Sequence, residues 1–169
     1  MDLFSPELQT NLKSILIWIL LFSGFIASFN RVNGIENFRY FMTDADRKAM
    51  EWIKQNTPED AVFAINTHFW LPNSPHGSDA GYWIPYFAER KTTTDTMIAS
   101  LGPGNNIVMD RSNAVESLYK DEPALDGLCN LGIDYIYDGA KESFNRKEFD
   151  INEIRKLPDA EIVYESDKV

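Results

Sequence analysis

The sequence predicts an α/β domain, built as a small, mainly parallel sheet flanked by helices and preceded by one transmembrane helix. Three observations predict it. A charge-free apolar run lies between Lys13 and Arg31. A second, shorter run, Ala61-Val62-Phe63-Ala64-Ile65, is unbroken by polar residues, the pattern of a strand covered on both faces. Helix-period and strand-like segments then alternate along the chain, as layered α/β folds require.

The first run reads SILIWILLFSGFIASFN, seventeen residues without a charge. At a rise of about 1.5 Å per residue it lies at the short end of what crosses a bilayer core of about 30 Å. Leu12 and the snorkelling reach of Lys13 and Arg31 lengthen it. The reading is an amino-terminal segment over residues 1–42 with its span at about 13–31, then a water-facing domain over 43–169. Two rivals stay open. A signal peptide is favoured by the small residues of Gly24–Ser28 and opposed by the acidic Met1-Asp2 start; a buried core or oligomer-packing helix is the other. Lys13 stands on one side and Arg31 and Arg39 on the other, so charge leaves orientation unset.

The domain opens with a helix from Thr43 or Asp44, where Thr43 and Asp46 approximate a capping box. Ala45, Ala49, Trp52 and Ile53 form its apolar stripe, and Thr57-Pro58 ends it. Strand 61–65 follows. Asn66 to Gly81 reads as a long loop, Tyr82 to Glu89 as a short helix with Trp83 and Phe87 on one side, and 91–101 as a threonine-rich turn and another short helix. Ile107-Val108-Met109 reads as a small strand, and Ser112 as the cap of a helix holding Val115, Leu118 and Tyr119. Pro123 suits the first turn of a helix through Leu125, Leu128 and Leu131 that Gly132 closes. Strands at Ile133–Tyr137 and Ile162–Tyr164, with a helix at about Ile151–Leu157 between them, complete the sheet.

Residues 1–40 carry three basic and three acidic side chains, so the rest of the chain holds the whole net charge of −10. Phosphate backbones repel such a domain, and nucleic acid is not an expected partner. Cys129 is the single cysteine. It has no internal disulfide partner, and its place beside Leu125 and Leu128 predicts a small buried hydrophobe.

Functional residues gather in the stretch Asn66 to Asp95, since long connections within compact domains are often functional. His68, His76 and Asp79 are donor types that suit zinc, but their spacing matches no compact ligand motif, so no metal or cofactor is assigned. Either histidine is chemically fit to act as a base, but no nucleophile accompanies it. Trp70, Tyr82, Trp83 and Tyr86 are fit to form a platform for a sugar or peptide, or to close the core. Asp79 is placed to cap the next helix or meet a ligand, and Arg90 to pair with an acid such as Asp95. Leu101-Gly-Pro-Gly-Asn105 lacks the lysine of a phosphate loop and reads as a turn. The candidate contact residues are Asp79, Tyr82, Trp83, Arg90, Trp70 and His76; no residue is named catalytic.

The segments DRKAMEWIKQNTPEDAVF, SDAGYWIPYFAERKTTTD and LGIDYIYDG resemble the carboxy-terminal soluble region of polytopic membrane glycosyltransferases of the oligosaccharyltransferase kind. The likeness covers roughly residues 40–140. It implies a last membrane helix leading into an outward-facing α/β domain. That family carries a Trp-Trp-Asp-Tyr-Gly signature reading an acceptor hydroxyl; the matching positions here are Gly77, Ser78, Asp79, Ala80 and Gly81, which keep the aspartate and final glycine alone. The family's metal carboxylates and donor site lie in loops between membrane helices that this sequence does not contain. The resemblance therefore implies a non-catalytic extracytoplasmic domain at the cell membrane. It would contact membrane lipid through residues 14–30, and a membrane-protein partner or glycan acceptor through the domain. The alternatives are a membrane-anchored glycan- or peptide-binding module and a histidine-dependent hydrolase.

Overall fold

The computed structural model describes residues 6–33, 42–94, 105–120, 122–141 and 148–166. The chain divides into two compact units, Met1–Tyr40 and Phe41–Val169.

The first unit is helix α1, Pro6–Asn33. Its segment Asn11–Val32 has a mean hydropathy of 2.0 over 22 residues, none of it buried. By length and composition it is fit to cross a membrane or to serve as a signal segment. Trp18, Leu20, Phe22 and Phe25 are exposed along it.

In the second unit, helix α2 (Asp44–Asn56) starts at the expected cap. The Thr43 hydroxyl accepts from the Asp46 amide, and Asp46 Oδ2 takes the Thr43 amide at 2.6 Å. Strand β1 (Val62–Ile65) follows, then β2 (Thr67–Leu71), β3 (Ser74–Gly77), a 3-10 turn at Ala80–Trp83, and α3 (Ile84–Phe87). The chain continues with β4 (Lys91–Thr92), α4 (Asn105–Val115), a 3-10 turn at Glu116–Tyr119, α5 (Asp126–Asn130), β5 (Tyr135–Tyr137) and α6 (Ile151–Ile154).

The mainly parallel sheet is present. β4, β1 and β5 lie side by side in that order, all parallel, with Phe63 opposite both Thr92 and Tyr135. β1 is central and buried at every position. Alternation along it splits the core. Phe63 and Ile65 join Met50, Ile53, Ala80 and Ile84 on one side, whereas Val62 and Ala64 join Val115, Leu118, Leu128 and Ile154 on the other. Each large apolar side chain so buried contributes about 1.5–3 kcal/mol. Ala80 and Ile84, which follow β1, pack on the first face, whereas Val115, Leu118 and Leu128 before β5 and Ile154 after it pack on the second. The carboxyl ends of these two neighbouring strands therefore form a switch point, the usual place for function in such sheets.

Several local expectations are corrected. Asn66–Gly81 is no plain loop, because β2 and β3 pair as an antiparallel hairpin around Pro72-Asn73. Ile107-Val108-Met109 is helical within α4, which buries Ser112 and Val115, and the 3-10 turn after it buries Leu118. Ser112 therefore lies inside that helix, its hydroxyl donating to the Thr93 carbonyl. The helix expected from Pro123 begins only at Asp126, and Cys129 is exposed, since in so short a helix Leu128 takes the inward position. Gly132, at φ 64, does follow that helix. Ile162-Val163-Tyr164 forms no ladder. The segment is held by side chains instead: Trp52 and Tyr164 rings lie 5.2 Å apart and Arg155 pairs with Glu165, leaving a groove of about 510 Å³ beside the edge strand β5. The short helix expected within 91–101 falls mostly outside the described residues.

Candidate functional site

The hairpin and the turn after it bring distant rings into one array. Between Phe69 and Leu71 the ladder slips by one residue, and Trp70 is the unpaired one. His76 stands across from His68, and Trp70 stacks on its ring at 5.7 Å. The other face of His76 meets Tyr82 at 4.7 Å. From there the array turns edge-on, through Trp83 at 5.9 Å to Tyr86 at 6.4 Å and Phe87 at 6.3 Å. Trp70, Trp83 and Tyr86 keep 59%, 41% and 74% of their surfaces in water, so these rings do not close the core. Residues 66–88 contain no lysine, arginine or glutamate, and their one aspartate is buried. A domain that carries the whole net charge of −10 thus presents one uncharged aromatic face.

The aspartate beneath this face is Asp79, 3% exposed. It caps the 3-10 turn by accepting the Gly81 amide on Oδ1 at 2.9 Å. Its Oδ2 accepts from Asn66 Nδ2 at 2.9 Å and from the Gly139 amide at 3.1 Å. Asn66 Nδ2 also donates to Asp138 Oδ1 at 2.9 Å, so one amide group bridges two carboxyls. Burial pushes Asp79 up to about 7; Asp138 nearby adds to the rise, while the Asn66, Gly139 and Gly81 donors oppose it. Asp138, up to about 6, is raised first by burial and then by Glu148 and Asp46, against the pull of Asn66. A third acid, Asp46, accepts the Tyr137 hydroxyl and the Ala140 amide, both at 2.8 Å. Burial and the Asp46 charge raise Tyr137 well above the usual phenol range.

Two glycines permit the close fit. A Cβ at Gly81 would stand 2.6 Å from Ile65 Cγ2, and one at Gly139 would stand 3.2 Å from Asp79 Oδ2. This fit accounts for a glycine following the aspartate at position 81.

Of the six residues expected from the sequence, Trp70, His76, Tyr82 and Trp83 meet in the ring array, and Asp79 lies under it. Arg90 stands elsewhere. It is buried, and its guanidinium donates to the Lys54, Thr57 and Ala88 carbonyls and to Thr57 Oγ1, tying the end of α2 to β4. Asp95, its suggested partner, lies outside the described residues. His76 Nδ1 donates to the Gly77 carbonyl at 2.6 Å, which orients the ring within its stack. Among the described residues no three histidine, cysteine or acidic side chains gather as metal ligands. Sequence reasoning missed Asn66 and Asp138. Each is the first residue after a strand, and that position at the carboxyl end of a parallel sheet was the available signal.

No family model matches the chain, and no curated protein or solved structure matches it either.

Proposed function

We propose that this chain is a membrane-anchored, non-catalytic recognition domain, held outside the cytoplasm, whose uncharged aromatic face binds a neutral glycan. The observation that carries the reading is the run of rings from Trp70 to Tyr86, exposed at Trp70, Trp83 and Tyr86, on an otherwise acidic body. Rings offer rigid apolar area at low entropic cost, and their polar tips direct hydrogen bonds. The long apolar helix α1 supports a membrane location. The likeness of three segments to glycosyltransferase outer domains supports a sugar as the ligand rather than a peptide.

The test is tryptophan fluorescence of the full chain in lipid nanodiscs, titrated with neutral oligosaccharides. A saturable change is expected. Trp70→Ala and Trp83→Ala should each weaken binding about two- to tenfold, the loss of roughly 0.5–1.5 kcal/mol per ring contact. No saturable response to any neutral glycan would overturn the reading, as would binding untouched by both substitutions.

A further inference from the structure

We infer that Asn66, Asp79 and Asp138 form a pH-sensitive latch at the root of the ring-bearing segment, closed in acid and slackened in alkali. The geometry comes first. The hairpin carrying Trp70 and His76 leaves the sheet at Asn66 and returns at Ser78, and the Ser78 amide closes that root on the Asn66 carbonyl at 2.8 Å. The Asn66 side chain then holds Asp79 from the far end of the hairpin and Asp138 from the end of β5, both at 2.9 Å. Asp79 in turn fixes the 3-10 turn that carries Tyr82 and Trp83. Half of the aromatic face is therefore fastened through one amide and two carboxyls. Asn66 Oδ1 is buried without a hydrogen-bond partner among the described residues, so the side chain is committed to the two acids by its donor end.

The groups acting on this pair are mostly acidic. Asp138 acts on Asp79, Glu148 and Asp46 act on Asp138, and among the described residues no basic side chain figures in the main influences on either. Tyr119, whose hydroxyl meets the Thr67 amide at 2.7 Å, and Tyr137 are held neutral by burial. With Asp79 protonated, one neutral amide faces at most one charge. When Asp79 releases its proton to solvent, two negative charges share that amide away from water. Separating them or admitting water relieves the repulsion, and both routes open the hairpin root. Burial places the Asp79 transition at about 7, within reach of ordinary extracytoplasmic conditions. The His76 ring lies within the array itself, touching Trp70 and Tyr82, so its effect has to be told apart.

The latch rests on the recognition reading only for what it controls, and its test needs no ligand. The experiment is a pH titration, by amide NMR, of isotope-labelled full chain in nanodiscs. The Gly81 and Gly139 amides donate to the two oxygens of Asp79 and report its ionisation directly. They are expected to shift together with one midpoint near 7, and the Trp70 and Trp83 indole N–H signals should follow with the same midpoint. Asp79→Asn should abolish all four shifts. Asp138→Asn, which removes the neighbouring charge, should lower the Gly81 and Gly139 midpoint, and serves if the first variant does not fold. Three results would overturn the latch: glycine amides that do not titrate, a midpoint unmoved by Asp138→Asn, or indole shifts that persist in Asp79→Asn, which would assign them to another group. Failure of glycan binding leaves these signals unchanged, so the two readings fail separately.

Discussion

Replacing Asp79 by asparagine changes how stability depends on pH, and the size of the change follows from burial. The side chain is 3% exposed, and its carboxyl is pushed from an ordinary 3.8 to about 7. At roughly 1.36 kcal/mol per tenfold change, that gap amounts to about 4 kcal/mol. The folded state holds the proton more tightly than the unfolded chain does. The stabilising contribution of Asp79 is therefore complete below about pH 4, declines as pH rises, and is gone above about pH 7. Asp138, raised to about 6, acts in the same direction. Glu89, lowered by its hydrogen bond and charge contact with Lys54, acts in the opposite sense at the surface and is common to both proteins. The asparagine cannot ionise, but it presents an N–H where Asp79 accepted one, which costs about 1–3 kcal/mol at every pH. The variant should be the less stable protein near pH 4 and should gain on the parent by about 4 kcal/mol on reaching pH 8. Urea unfolding of both full chains across that range reads the difference directly. A stability gap that stays constant from acid to alkali would refute the burial argument.

Other substitutions test the packing. Gly81→Ala places a methyl 2.6 Å from Ile65 Cγ2 and should remove about 1–3 kcal/mol, seen as a lower urea midpoint at unchanged slope. Gly127→Ala, where nothing lies within 4 Å, should instead stabilise by about 0.5–1 kcal/mol in the same assay. Arg90→Lys withdraws donors from the Lys54, Thr57 and Ala88 carbonyls and should lower stability by about 1.5–3 kcal/mol while leaving the affinity of the aromatic face unchanged in a glycan titration. Thr43→Ala should cost about 1 kcal/mol through loss of the α2 cap, measurable as a lower melting temperature.

The legible parts of the chain rest on local signals. The cap at Thr43, the stop at Thr57-Pro58 and the buried run 61–65 are each complete within a few residues, and each stands where expected. The hairpin was hidden because Pro72, Pro75 and Gly77 resemble loop punctuation, although Pro75 lies within the two-stranded ladder. Ile107-Val108-Met109 is ambiguous because three apolar residues fit either period; the buried spacing of Ser112 and Val115 in the same element goes with a helix. Cys129 was misplaced because the sense of a five-residue helix face is set by its neighbours rather than by its own pattern. Trp70, His76, Tyr82 and Trp83 stand out as a group because they crowd a short stretch, yet nothing in that stretch tells which of them is exposed.

The sequence by itself determined the long apolar helix, the acidic balance of the rest and the alternation that builds a parallel sheet, because hydrophobic periodicity and charge are properties of consecutive residues. Only the tertiary structure brought Asn66, Asp79 and Asp138 together, since the second and third stand 13 and 72 residues beyond the first. The energies that raise the two acids come from burial and from other acids, Asp138 beside Asp79, and Glu148 and Asp46 beside Asp138. Such through-space terms exist only once the sheet has closed, and no window along the chain contains them.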